Sequence, residues 1–202
     1  LTVSSSHAGI TTTTLNAGSA ARLTAQGAIS VVTSMASGSG ATATSNGSTL
    51  NIVALTAGGT TTLSGSGAVT IGSARTTGGD LSITSLTAGI GATTLDAAGA
   101  LSVNAPGAIT VTTATSGTTT QATSSGDTLS ITTLTSGSAA TMAGRNGVTI
   151  GNAMSMTGEL SVASSHAGIM AATLSAAGAA TLTAQGAISV TTSLIATGGG
   201  AT

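Results

Sequence analysis

The sequence predicts an all-β solenoid: a right-handed parallel β-helix of about ten coils, each of about 20 residues with three short strands. A 17-residue block recurs at a nearly constant spacing, and its aliphatic residues fall at even intervals. The chain has no aromatic residue and only 3% charged residues, so it cannot fill a thick core. A hydrophobic content of 40% with a net charge of -1 argues against disorder.

The block is built around the nonamer 23–31, which returns letter for letter at 182–190. Its five copies begin 40, 40, 39 and 40 residues apart, so two coils make one 40-residue repeat. One coil carries too few large aliphatics to fold alone, because each buried side chain contributes about 1.5–3 kcal/mol while each ordered residue costs about 1–2 kcal/mol. Stacking of coils must therefore supply the stability.

Even spacing places alternate residues on the inner side of each coil, so the recurring aliphatics of the block predict a narrow core. The predicted core consists of Leu15, Leu23, Ile29, Val31, Leu55, Leu63, Val69, Ile71, Leu95, Val103, Ile109, Val111, Leu134, Met142, Val148, Ile150, Leu174, Leu182, Ile188 and Val190.

One turn position in each block is also predicted, because it holds a residue that tolerates positive φ. These turn residues are Gly27, Gly67, Gly107, Asn146 and Gly186.

The segments between blocks carry a second aliphatic pair whose spacing alternates between long and short. The pairs are Leu1 and Val3, Leu50 and Ile52, Leu81 and Ile83, Leu129 and Ile131, and Leu160 and Val162. They predict one continuous solenoid over residues 1–202, with large repeats at 1–80 and 81–159 and a partial repeat at 160–202. The long connectors, such as 35–49 and 114–128, are poor in large apolar residues and predict strand-and-turn excursions on the surface.

Few residues could carry chemistry. His7 and His166 occupy equivalent turns without ligand-forming neighbours, and Asp80 and Glu159 are equivalent turn acids. The chain has no cysteine. We therefore expect no enzymatic activity, no cofactor, and no metal or catalytic residue. The absence of a basic cluster argues against nucleic-acid binding, and no apolar run is long enough to predict a membrane span.

Three phrases of the sequence, at 23–31, 79–84 and 94–103, resemble the haemagglutinin-type repeats of filamentous haemagglutinin-like exoproteins. The resemblance covers essentially the whole chain. It implies a β-helical shaft of a bacterial adhesin that is exported by two-partner secretion to the cell surface or medium, with roles in adhesion, biofilm or toxin delivery. It also implies receptors on host or neighbouring cells that bind other parts of a longer chain, of which we expect this sequence to be a piece.

Two alternatives remain open from the residues. The chain could be a self-assembling subunit of an extracellular filament, joined end to end through unpaired strand edges. It could also bind ice or carbohydrate through a threonine-rich face, for which the runs 11–14, 60–62 and 118–120 are the candidates. We expect the connectors to hold any local function.

Overall fold

The computed structural model describes all 202 residues and is built entirely from β-strands joined by turns. Ten coils stack on one another, and successive coils are about 20 residues apart, as in the pairing of Ala41 with Thr61. The predicted all-β parallel solenoid is therefore confirmed.

Each coil has two strands. The first is short and belongs to sheet A, whose strands are β1 (Thr2–Ser5), β3 (Ala21–Ala25), β5 (Ala41–Ser45), β7 (Thr61–Gly65), β9 (Leu81–Ser85), β11 (Leu101–Ala105), β13 (Thr120–Ser124), β15 (Ala140–Gly144), β17 (Leu160–Ser164) and β19 (Ala180–Ala184). The second is longer and belongs to sheet B, whose strands are β2 (Ile10–Ala17), β4 (Ile29–Ser37), β6 (Leu50–Ala57), β8 (Val69–Thr76), β10 (Ile90–Ala97), β12 (Ile109–Ser116), β14 (Leu129–Ser136), β16 (Val148–Ser155), β18 (Ile169–Ala176) and β20 (Ile188–Ala196). Coils are numbered one to ten in chain order.

The long strand replaces two of the three short strands that the sequence predicts. In β6, Leu50 and Ile52 are buried, the next two residues face outward, and Leu55 and Ala57 are buried again. Two consecutive outward residues reverse the alternation of an extended strand, so the chain changes direction there without leaving the sheet. A coil therefore has three sides although it has only two strands.

Both sheets are parallel and run through all ten coils. Sheet A keeps its register throughout, whereas sheet B shows register shifts where β4 pairs with β2 and β6 and where β20 pairs with β18. The extra residue in the nine-residue strands β4 and β20 is accommodated at these shifts. Sheet A is accordingly the more regular side of the molecule.

The core is one continuous apolar column of 47 buried residues. Every predicted core residue lies in it except the last two, Ile188 and Val190. Ile188 is 47% exposed because β20 is the last strand of sheet B and has a neighbour on one side only.

The predicted surface excursions at 35–49 and 114–128 are wrong. These segments contain β5 and β13, whose inward residues, including Ala43 and Ala122, continue the core column formed by Leu23 and Leu63. Alanine occupies the inward position there, so the segments lack the large aliphatics that mark the other coils, although their even spacing is the same.

The uneven spacing of the inter-block pairs also has a simple cause. Leu81 and Ile83 lie in the short strand β9, whereas Leu50 and Ile52 lie in the long strand β6. Successive pairs thus alternate between the two sheets, which gives the alternating long and short intervals along the chain.

Candidate binding surface

The predicted turn residues lie at the corner between the short and the long strands, but not for the predicted reason. The only residue with positive φ is Gly147, at 130°, so Gly27, Gly107 and the others do not need it. A Cβ on Gly27 would instead lie 2.6 Å from the backbone nitrogen of Gly9, and one on Gly107 would lie 2.7 Å from the carbonyl carbon of Ala88. Glycine is needed at Gly27, Gly107 and Gly186 because stacked coils bring two backbones together there, whereas a Cβ on Gly67 would have no contact shorter than 3.4 Å.

The corner at Asn146 differs from the others because Asn146 carries a side chain where most blocks have glycine. Its Nδ2 donates a hydrogen bond to the Gly126 carbonyl at 3.1 Å. The following residue is Gly147 with its positive φ, whereas the other blocks have alanine at this place. The turn is therefore rearranged at the larger residue, and the next residue takes a positive φ that glycine adopts without strain.

Buried serines line the inside of this corner in alternate coils. Ser45, Ser85 and Ser124 end their short strands and donate hydrogen bonds to the carbonyls of Gly27, Gly67 and Gly107 in the preceding coil, at 2.8, 2.9 and 2.8 Å. In odd coils the short strand ends in serine and a four-residue turn follows, while in even coils it ends in alanine or glycine and a three-residue turn follows. Two kinds of coil therefore alternate.

The corner after the long strand uses hydroxyls in the same way. Ser37 donates to the carbonyls of Ser19 and Gly40 at 2.7 and 2.8 Å, and Ser136 donates to those of Thr118 and Ala139 at 2.9 and 3.0 Å. Each of these four carbonyls also accepts a backbone N–H bond, so the serine hydroxyls add a second donor to them. The inward serines are thus structural, and their even spacing after the inward aliphatics could have identified them.

The two histidines lie on exposed turns eight coils apart, in coils one and nine. Each has Nδ1 in hydrogen-bonding distance of the preceding serine hydroxyl, at 2.8 Å for His7 and 3.0 Å for His166. No group of three or more His, Cys, Asp or Glu residues lies close enough together to hold a metal ion.

Three of the four acidic residues have a hydrogen-bonding or ionic partner, and Glu159, the equivalent of Asp80, has none. Asp80 accepts a hydrogen bond from the Ala100 amide at 2.8 Å. Asp96 forms the single ion pair of the chain, with Arg75 Nε 3.2 Å from Asp96 Oδ2; the Arg75 side chain is 62% exposed and that of Asp96 37%. An exposed pair of this kind contributes at most about 1 kcal/mol. It borders an open groove of about 390 Å³ along the turns after the long strands, lined mainly by small polar residues.

The predicted threonine runs do not form rows on one surface. Thr61 and Thr120 of the runs 60–62 and 118–120 point into the core, and the run 11–14 lies within β2. A regular array exists elsewhere, at the second and fourth positions of the short strands, on both sides of the inward aliphatic. We call these twenty outward residues of sheet A the hydroxyl face.

The hydroxyl face is dominated by two residue types. Ten of its positions hold threonine (Thr2, Thr24, Thr42, Thr44, Thr62, Thr84, Thr123, Thr141, Thr181 and Thr183) and five hold serine (Ser4, Ser64, Ser82, Ser102 and Ser161). The other five are Arg22, Asn104, Gln121, Ala143 and Ala163. Only one carries a charge, and none is a large apolar residue. The pattern was visible in the sequence as triplets such as Thr42-Ala43-Thr44.

The outer side of sheet B is less uniform. Its outward positions include Val32, Val53 and Met170, which are 52%, 46% and 63% exposed, together with the Arg75–Asp96 pair. The strand bend also divides this surface along its length. The hydroxyl face is therefore the one extended surface of uniform chemistry on the molecule.

Comparison of the chain with protein-family models, with curated proteins and with solved structures gives no match. The structure contains no helix that could cross a membrane.

Proposed function

We propose that this chain is a non-enzymatic shaft segment of a secreted or surface-exposed bacterial adhesin, which holds binding or toxin elements away from the cell. The observation that carries the proposal is the unbroken parallel pairing of both sheets from the first coil to the tenth. The residues that recur from coil to coil lie in the apolar column, at the glycine corner and at the buried serines. All three support the pairing of successive coils.

The expected mechanism is mechanical reach. With neighbouring parallel strands about 4.8 Å apart, ten coils extend roughly 48 Å along the axis. A stack of this kind can be lengthened by further coils, because each coil contacts only its neighbours. The resemblance of the repeats to filamentous haemagglutinin-like exoproteins supports the same proposal and adds export to the cell surface.

The experiment that tests it places the full chain between a surface anchor and a binding module on bacteria coated with polysaccharide. Capture of ligand-bearing beads should fall when residues 120–159 are removed, because two coils of reach are lost. A full-length variant with Thr62→Lys and Thr84→Lys on the hydroxyl face serves as the control and should capture beads normally. The proposal is overturned if bead capture falls in the variant with the two lysines and is unchanged in the shortened variant.

A second candidate is an end-to-end self-assembling subunit of an extracellular filament. It is favoured by β20, where Ile188 and Leu194 are 47% and 37% exposed although the equivalent Ile29 and Met35 of β4 are buried. A second copy that paired with this edge would cover them. Electron microscopy of a dilution series tests this candidate, since short discrete rods at every concentration would exclude it.

A further inference from the structure

The hydroxyl face leaves its hydrogen-bonding groups free. None of its fifteen Ser and Thr hydroxyls makes a hydrogen bond within the protein. The oxygen of Thr24 is covered, but it too has no partner. Because a hydroxyl both donates and accepts, each accessible position can bind water in either sense.

Exposure alone does not explain these free hydroxyls. On the turns, Thr87 and Thr157 donate to the carbonyls of Ser66 and Gly137 in the preceding coil at 2.7 and 2.8 Å, and both threonines are exposed. The chain thus uses threonine hydroxyls for backbone bonds at its corners and keeps those of sheet A available. The difference is one of position: the turn hydroxyls reach a carbonyl of the preceding coil, and the hydroxyls of sheet A reach none.

The positions of the hydroxyl face form a regular two-dimensional grid, which is fully occupied by hydroxyls in β5, β7 and β9 and lacks one hydroxyl in each of the strands β11, β13, β15 and β17. Successive coils repeat at about 4.8 Å, and the second and fourth residues of a strand are roughly 6.7 Å apart. The grid inherits the uninterrupted register of sheet A from β1 to β19. Backbone pairing on both sides of each internal strand fixes these spacings, so a repeating ligand would meet hydroxyls that are ordered beforehand.

We propose that the hydroxyl face binds ice. Ice presents water molecules in a repeating two-dimensional array, and a grid of donor–acceptor groups at comparable intervals can hydrogen-bond to many of them at once. Each contact is worth only about 1 kcal/mol net, so the binding depends on the number of positions that engage together. The threonine methyl groups fill the space between hydroxyls, and Arg22 is the only charge that would orient nearby water differently.

Carbohydrate is the rival ligand for a surface of hydroxyls. Sugar rings usually pack an apolar face against an aromatic side chain, and this chain has none. The largest groove of the molecule lies on the turns after the long strands, and the hydroxyl face has a smaller one of about 190 Å³ between β11 and β13. The repeating surface therefore favours a repeating ligand, and glycan binding is an outcome that the test must detect.

The test compares the full chain with two double variants in an ice-recrystallisation assay. Thr62→Lys with Thr84→Lys places two charges on the hydroxyl face, and Thr110→Lys with Thr149→Lys places the same charges at exposed positions of sheet B. We expect the native chain and the sheet B variant to inhibit recrystallisation alike. The sheet A variant should need about a tenfold higher concentration, as expected when about two hydrogen-bonding positions are lost.

A fluorescently labelled chain should also adsorb to a growing ice crystal, and the sheet A variant should not. Circular dichroism of all three proteins must first give the same spectrum, so that a loss of activity reports a change of the surface and not of the fold. The proposal is overturned if the native chain inhibits no better than an unrelated protein of equal mass, or if both variants lose activity equally. Glycan-array binding that only the sheet A variant loses, without ice activity, would assign the face to carbohydrate. None of these outcomes depends on the shaft proposal, which concerns length.

Discussion

The hydroxyl of Ser45 lies 2.8 Å from the carbonyl oxygen of Gly27, one coil earlier, and ties the two kinds of coil together inside the solenoid. The same bond recurs in Ser85 and Ser124, but the hydroxyl of the equivalent Ser164 is buried without a partner. Ser164 faces the rearranged corner at Asn146 and Gly147. The four serines therefore provide a matched set in which one member lacks the bond.

Ser45→Ala should lower the free energy of unfolding by about 1–3 kcal/mol, because it leaves the Gly27 carbonyl without its donor in a buried site. Ser164→Ala should leave stability unchanged or raise it, since it removes a buried hydroxyl that has no partner. Urea unfolding followed by circular dichroism measures both. Equal losses in the two variants would show that the bond does not stabilise the stack.

Gly107→Ala should destabilise the chain by roughly 1–3 kcal/mol, because the new methyl would meet the Ala88 backbone of the neighbouring coil and force the two apart. Gly91→Ala is the control. Gly91 lies within β10, and no atom lies within 4 Å of the place that an added methyl group would occupy, so alanine should stabilise the strand by about 0.5–1 kcal/mol. Thermal unfolding of both variants distinguishes crowding between coils from a general effect of replacing glycine.

The corner at 145–147 should tolerate the Gly-Ala pair that the other corners carry in place of Asn146 and Gly147. Gly147→Ala alone should cost about 1–3 kcal/mol because alanine is strained at a φ of 130°. Adding Asn146→Gly should recover that loss, since the pair then matches Gly27 and Ala28.

In the variant with both Asn146→Gly and Gly147→Ala, the hydroxyl of Ser164 should gain a carbonyl acceptor. Ser164→Ala should therefore be destabilising in that variant, although it is neutral in the native chain. A double-mutant cycle between Ser164→Ala and the repaired corner measures this coupling. No coupling would mean that the corner and the serine are independent.

Removal of residues 120–159 should leave a folded, cooperative solenoid that is shorter by about 10 Å, because two complete coils are lost and an even coil still precedes an odd one. Small-angle scattering gives the length, and urea unfolding gives the cooperativity. Removal of 120–149 is the control, and it should prevent cooperative folding because a long strand would then follow another long strand. Similar behaviour of the two deletions would contradict the assignment of coils.

The sequence was sufficient for the coil count and the core because both depend on aliphatic spacing, which Leu23 and Leu63 display directly. It was not sufficient for coils whose inward residue is Ala43 or Ala122, since alanine marks no face by itself. The buried serines escaped prediction because hydroxyls usually lie on surfaces, and their acceptors are carbonyls from another coil. The role of Gly27 could not be predicted for the same reason, because a close approach between coils produces no pattern in the local sequence.

The hydroxyl face could not be predicted from the longest threonine runs, because these runs do not lie on it as a row. A run such as 60–62 places consecutive side chains on opposite sides of the strand, so it cannot form one surface. The triplets around each inward aliphatic place two outward residues on the same side. Only the pairing of β5 with β7 and its neighbours shows that these triplets align from coil to coil.

The alternation of a four-residue turn after serine with a three-residue turn after alanine or glycine has a genetic consequence. A tandem duplication of 40 codons adds one coil of each kind and keeps the reading frame, so that each odd coil still follows an even coil. A duplication of a single odd coil would place two odd coils together, and the added serine would then follow a coil without the glycine carbonyl that accepts this bond. Recombination between nearly identical stretches, such as those encoding 23–31 and 182–190, can therefore change the length of the chain in steps that selection tolerates.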